Sequence, residues 1–130
     1  MASPILITIT DASADLGGRA KLAIVRFDGQ LDESNVDSYT ATIEQLVEKL
    51  EPGTFVVFDL EGLTYMNSRA IGYLTDWHLK VAAKSGEILL ARARENILDI
   101  LNVVGLTQIV RSFATLDEAK LAILQQLEGR

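Results

Sequence analysis

Val56-Val57-Phe58-Asp59-Leu60-Glu61-Gly62-Leu63-Thr64-Tyr65-Met66-Asn67-Ser68-Arg69-Ala70-Ile71-Gly72-Tyr73-Leu74 reads as a buried strand, a short turn and a helix that starts at a serine. The near-continuous apolar run Phe55 to Leu60 is the pattern of a central strand covered on both faces. Beyond it, Ala70, Ile71, Leu74, Trp77, His78, Val81 and Ala82 recur at helical spacing and stop near Gly86. A helix N-terminus leaves N–H groups unpaired at the positive end of the macrodipole, so an oxyanion or phosphate placed on Ser68 would be locally favoured.

Working outward, Ile5 to Thr10 alternates and is rich in β-branched residues, a half-buried or edge strand. Asp11 to Arg19, with Gly17-Gly18, is a turn. Lys21 to Phe27 is a second strand, and the short interval between the two suits an antiparallel hairpin. Val36, Tyr39, Ile43, Leu46, Val47 and Leu50 fall on one helical face, which Asp32 or Ser34 would cap and Pro52-Gly53 would end. Downstream come a strand over Glu87 to Arg92, a helix over Asn96 to Val104 closed by Gly105, and a last strand over Gln108 to Phe113. Thr115 and Glu118 form a capping box for a final helix that turns Leu116, Ala119, Ile123 and Leu127 inward. The pattern predicts an α/β fold: a mostly parallel mixed sheet of about five strands that begins with an antiparallel hairpin, packed with about four helices.

The 130 residues make one domain, read as spanning 1–130, and the formal net charge is −6. That balance argues against a nucleic-acid surface, whose affinity comes from lysine and arginine on phosphate, and points to protein partners. Without cysteine there is no disulfide framework, thiol nucleophile or thiolate metal site, and His78 is the only histidine. No basic leader or long apolar run appears, so no membrane insertion is expected and the expected location is the cytoplasm. No cofactor or metal is implied, and the oligomeric state stays open.

Each candidate residue has a plain structural reading beside its functional one. Asn67 and Ser68 are ordinary helix caps, and capping and phosphorylation are compatible. Asp59 ends a central strand, where α/β proteins place ligand groups, yet aspartate also begins turns. Asp32 and Asp59 are expected to converge on the corner that holds Ser68. Arg92, Arg94 and Arg111 are solvated or orient an acidic partner, and His78 is a packed or surface residue. A Ser–His hydrolase is disfavoured, because His78 lies ten residues along the same helix as Ser68. Phosphate-cradling and dinucleotide-binding glycine motifs are missing. A response-regulator receiver fails on element order, since it needs a helix after its first strand.

Four landmarks taken together resemble the STAS domain, specifically the bacterial anti-sigma factor antagonists, over Leu22 to Leu127. They are Phe27-Asp28-Gly29-Gln30-Leu31-Asp32, Phe58-Asp59-Leu60, Met66-Asn67-Ser68-Arg69-Ala70-Ile71-Gly72, and Ile100-Leu101 through Val104-Gly105-Leu106. The resemblance implies a non-catalytic partner switch. The unphosphorylated form binds an anti-sigma factor that is also a serine kinase; phosphorylation ends the interaction, and an opposing phosphatase restores it. By position it makes Ser68 the phosphorylated serine and Asp32, Asp59, Asn67, Ser68 and Arg69 the partner-binding set. The chain departs from the family's usual Asp-Ser-Ser-Gly or Asp-Ser-Ala-Gly, with Asn67 in place of a carboxylate and Arg69 in place of a small residue. An alternative keeps the fold without phosphorylation, as a scaffold in a signalling assembly or an accessory subunit of a membrane transport system.

Overall fold

The computed structural model describes residues 3–129. The strands are β1 (Ile5–Asp11), β2 (Leu22–Leu31), β3 (Phe55–Met66), β4 (Glu87–Ala91) and β5 (Ser112–Phe113). The helices are α1 (Val36–Lys49), α2 (Ser68–Ala83), α3 (Glu95–Val103) and α4 (Leu116–Glu128). The strands lie in sequence order in one sheet, β1 antiparallel to β2 and the other pairs parallel. The expected mixed sheet opening on a hairpin is therefore the observed one.

Stepping one strand at a time in one direction sends each crossover helix to the same face. Val25, Phe27, Val56, Phe58, Ile88 and Leu90 meet α1, α2 and α3 through Ile43, Val47, Leu74, Trp77, Val81, Ile97 and Leu101. Phe58 packs edge-on to Phe27 at 5.4 Å and to Trp77 at 5.9 Å, and Tyr73 stacks on Trp77 at 6.1 Å. Leu22, Phe55, Val57, Leu89 and Ala91 face the other way, where Ala119 and Ile123 of α4 and Leu16 of a single 3-10 turn close a smaller core. Lys84 ties two helices together: its Nζ donates to the carbonyls of Val47 at 2.9 Å and Glu48 at 2.6 Å in the last turn of α1.

The structure corrects four local expectations. β3 does not end at Leu60; it runs on to Met66, and what reads as a turn is an irregular ladder with register shifts between Arg26/Asp28 and Gly29/Gln30. β2 likewise extends to Leu31 to pair with it. β5 holds only Ser112–Phe113, because Gly105 at φ 81° turns the chain into a short 3-10 segment and Val110 is spent in the core. Neither Asp32 nor Ser34 caps α1. Asn35 holds the N-cap position and Asp32 closes the turn before it, its Oδ1 accepting from the Ser34 N–H at 2.9 Å.

Candidate functional site

β3 delivers the chain to α2 at a fixed point. The Asn67 N–H donates to the Leu31 carbonyl at 3.0 Å, which extends the β2–β3 pairing by one residue. Asn67 itself is still extended, at φ −86° and ψ 174°, and its Oδ1 accepts from the Ala70 N–H at 2.9 Å. The cap is therefore Asn67, and Ser68 is the first helical residue rather than the cap. The Ser68 side chain is exposed and has no partner among the described residues. The N–H groups of Ser68 and Arg69, the first two of the helix, have no acceptor among the described residues either, so the hydroxyl sits beside these donors and the positive end of a 16-residue helix.

Arg69 turns away from Ser68 into a bridge between helices. Its Nη1 lies 2.7 Å from Asp37 Oδ2, and the Tyr73 hydroxyl donates to Asp37 Oδ1 at 2.7 Å. The Tyr73 hydroxyl, followed by the Arg69 guanidinium, holds the Asp37 carboxyl below the usual carboxylate range. Asp37 raises both partners in return. Sequence reasoning missed Asp37. Its signal was present, one acid in the first turn of α1 and a cation and phenol four residues apart in α2, but periodicity does not say which helices adjoin.

Asp32 is near this corner through the Leu31–Asn67 bond but is fully engaged. The Ser3 hydroxyl donates to Oδ2 at 2.5 Å, the Gln30 amide to the same oxygen at 2.7 Å, and the Ser34 hydroxyl to Oδ1 at 2.5 Å. These bonds, Ser3 and Ser34 foremost, outweigh partial burial and hold the carboxyl at about 2. Asn35 ties the same segment down, donating through Nδ2 to the carbonyls of Ser3 and Gln30, each at 2.9 Å.

Asp59 does not join them. It is the last β3 residue paired with β4, opposite Ala91, and β3 continues seven residues further to Met66, about 20 Å at ordinary strand rise. Alternation turns it to the α4 side of the sheet, where its carboxylate is 2 % exposed at residue level. Arg92 forks onto it at 3.1 and 2.6 Å and Arg26 reaches it at 3.2 Å. The same arginines hold Glu61 at 2.8 and 3.6 Å, and Arg26 also bonds Asp28. Burial alone would push the Asp59 carboxyl up; Arg92, the Glu61 N–H and Arg26 more than offset it and hold the group below its ordinary value.

The three arginines meet different fates. Arg92, at φ 59°, follows β4 and serves Asp59; Arg94 donates to the Glu61 carbonyl at 2.9 Å; Arg111 pairs instead with Glu87 and Gln126. Where β4 has ended, Arg94 and Asn96 side chains take its place beside β3, on the carbonyls of Glu61 and Thr64. Gly62 admits the Asp28 side chain. A Cβ there would overlap Asp28 Oδ1 and stand 2.7 Å from the Phe27 carbonyl oxygen.

Comparison with known proteins gives one family and a consistent fold. The family model described as STAS domain matches residues 13–119. An anti-sigma factor antagonist from Mycobacterium paratuberculosis superposes with a TM-score of 0.76 at 19% identity, covering 96% of this chain and 99% of that one. The Bacillus anti-sigma factor antagonist SpoIIAA in its unphosphorylated form gives 0.70 at 18% identity, over 96% and 98% of the two chains. The STAS domain of a SulP transporter from Vibrio cholerae gives 0.67 at 16% identity, over 91% and 97%. No helix among the described residues is long and apolar enough to cross a membrane.

Proposed function

The chain belongs to the STAS domain family, and from that membership we propose that it is an anti-sigma factor antagonist. In this reading it binds an anti-sigma factor that is a serine kinase and is released when that kinase phosphorylates Ser68. The observation that carries the reading is the Ser68 hydroxyl: exposed, unpartnered among the described residues, and next to the open Ser68 and Arg69 N–H groups. The partner would read the α2 N-terminus and the adjoining Asp32 turn.

The chemistry of the switch follows from charge. A phosphate on Ser68 adds about −1.5 to −2 charges where the helix dipole favours them. It would also compete with Asp37 for Arg69, since a guanidinium binds a phosphate through charge-assisted bonds. Breaking the Arg69–Asp37 bridge would leave Asp37 facing a new dianion, so the surface changes in shape and sign while the buried core is untouched. Asp59 is held by arginines about 20 Å away and has no part in this, except to fix the strand that leads to the site.

Incubating the chain with ATP and a kinase-type anti-sigma factor that binds it is expected to place one phosphate on Ser68 and to weaken the complex. Phosphate elsewhere, or an unweakened complex, rejects the reading. The locked Arg69, standing with Asn67 where the family carries a small residue and a carboxylate, favours one second reading: a scaffold bound through the same surface without phosphorylation. Ser68→Asp separates the two, because it weakens binding by a switch and leaves a scaffold's association unchanged.

A further inference from the structure

The two edges of the sheet are unlike. β5 is two residues long and backed by α4, the shortened edge by which proteins block strand addition. β1 is seven residues long and pairs with β2 alone among the described strands. From Ile5 to Thr10 it carries no charge, proline or glycine, and the guards of Pro4 and Asp11 stand only at its two ends. Leu6 at 63% and Ile9 at 44% are among the exposed large hydrophobic residues of the molecule.

We propose that β1 is a self-association edge, on which a second copy of this chain adds its own β1 antiparallel about a twofold axis at Thr8. The strand is complementary to itself in this register. Thr8 faces Thr8, Ile7 faces Ile9 and Leu6 faces Thr10, the β-branched and aliphatic cross-strand pairs that stabilise sheets. The one acid, Asp11, falls opposite Ile5, so like charges never meet. On the α1 side a hollow of about 280 Å³ opens beside the edge, lined by Ile9, Leu46 and Leu50, and Ile7 of the second copy would sit over it. Each site at Ser68 stays open, because β2 and β3 separate it from the joint.

Seven residues a side is short against the roughly 20–30 of a standing interface, so the pairing is concentration-dependent. The net charge of −6 per chain opposes it, so added salt strengthens it. Sedimentation of the full chain up to about 1 mM, the weak end of the affinity scale, is expected to show the mass rising from 14.2 kDa toward twice that value, more steeply at high salt. Thr8→Lys, at an exposed position, sets like charges face to face and is expected to weaken association at least tenfold while the chain stays folded in the absence of urea. In a chain without cysteine, oxidised Thr8→Cys is expected to form a covalent dimer, whereas Val103→Cys, 87% exposed at the end of α3, is not. A mass fixed at 14.2 kDa, association that survives Thr8→Lys, or cross-linking through Val103→Cys in preference to Thr8→Cys overturns the proposal.

Discussion

Asp59 shows how one residue can be misplaced by a correct rule. Aspartate after an apolar run normally means that a strand has ended. Here two arginines satisfy the carboxylate inside the sheet, so the strand can pass it. Removing one member of such a buried set leaves the others uncompensated, and Asp59→Ala is expected to cost about 3 kcal/mol in urea unfolding. Because the folded carboxyl is held below its unfolded value, its contribution is complete above about pH 4 and is lost as pH falls through the folded value. The stability gap between the native chain and Asp59→Asn should therefore close on acidification from pH 7 to 2; a constant gap would show that the charge is irrelevant. Gly62 is the second case. Gly62→Ala is expected to lower stability by about 2 kcal/mol, since the added methyl meets the Asp28 carboxylate and the Phe27 carbonyl together.

Helices were legible in the sequence and strand ends were not. The stripes Val36–Ile43–Val47 and Ala70–Leu74–Trp77–Val81 are buried as their spacing requires, and Thr115 caps α4 by accepting from the Glu118 N–H at 3.0 Å. Glu61-Gly62 reads as a turn, yet the side chains of Arg26, Arg92 and Arg94, far away in sequence, let β3 continue through it. Ile109 and Val110 are β-branched and read as strand, yet Val110 is fully buried under the helical layer while Ile109 is 53% exposed. At the candidate site, Asn67, Ser68 and Arg69 were legible as a helix start, but the Arg69–Asp37 bridge depends on the crossing of α1 and α2. Cap and regulated hydroxyl separate by mutation. Asn67→Ala is expected to cost about 1 kcal/mol in thermal or urea unfolding, whereas Ser68→Ala, which removes no bond among the described residues, should stay within about 0.5 kcal/mol. A large loss in Ser68→Ala would make the serine structural.

At the scale of the whole molecule, the two faces of the sheet are defended unequally. Three helices cover one side, whereas the other relies on α4 and one 3-10 turn. Ile123→Ala, in the middle of α4, is accordingly expected to cost about 3 kcal/mol, while Val103→Ala on the exposed end of α3 should fall within about 0.5 kcal/mol; equal losses would contradict the assignment of the cores. β3 itself has two regimes. From Phe55 to Asp59 it is flanked on both sides, and beyond Asp59 only β2 holds it as a strand. Amide protons in the first half should thus exchange with solvent only when the entire domain opens, and those from Gly62 to Met66 through smaller excursions that leave the rest intact. The strand would then be a beam clamped at one end, whose freer end carries the start of α2, so a molecule seizing Ser68 works against the less firmly held half of β3.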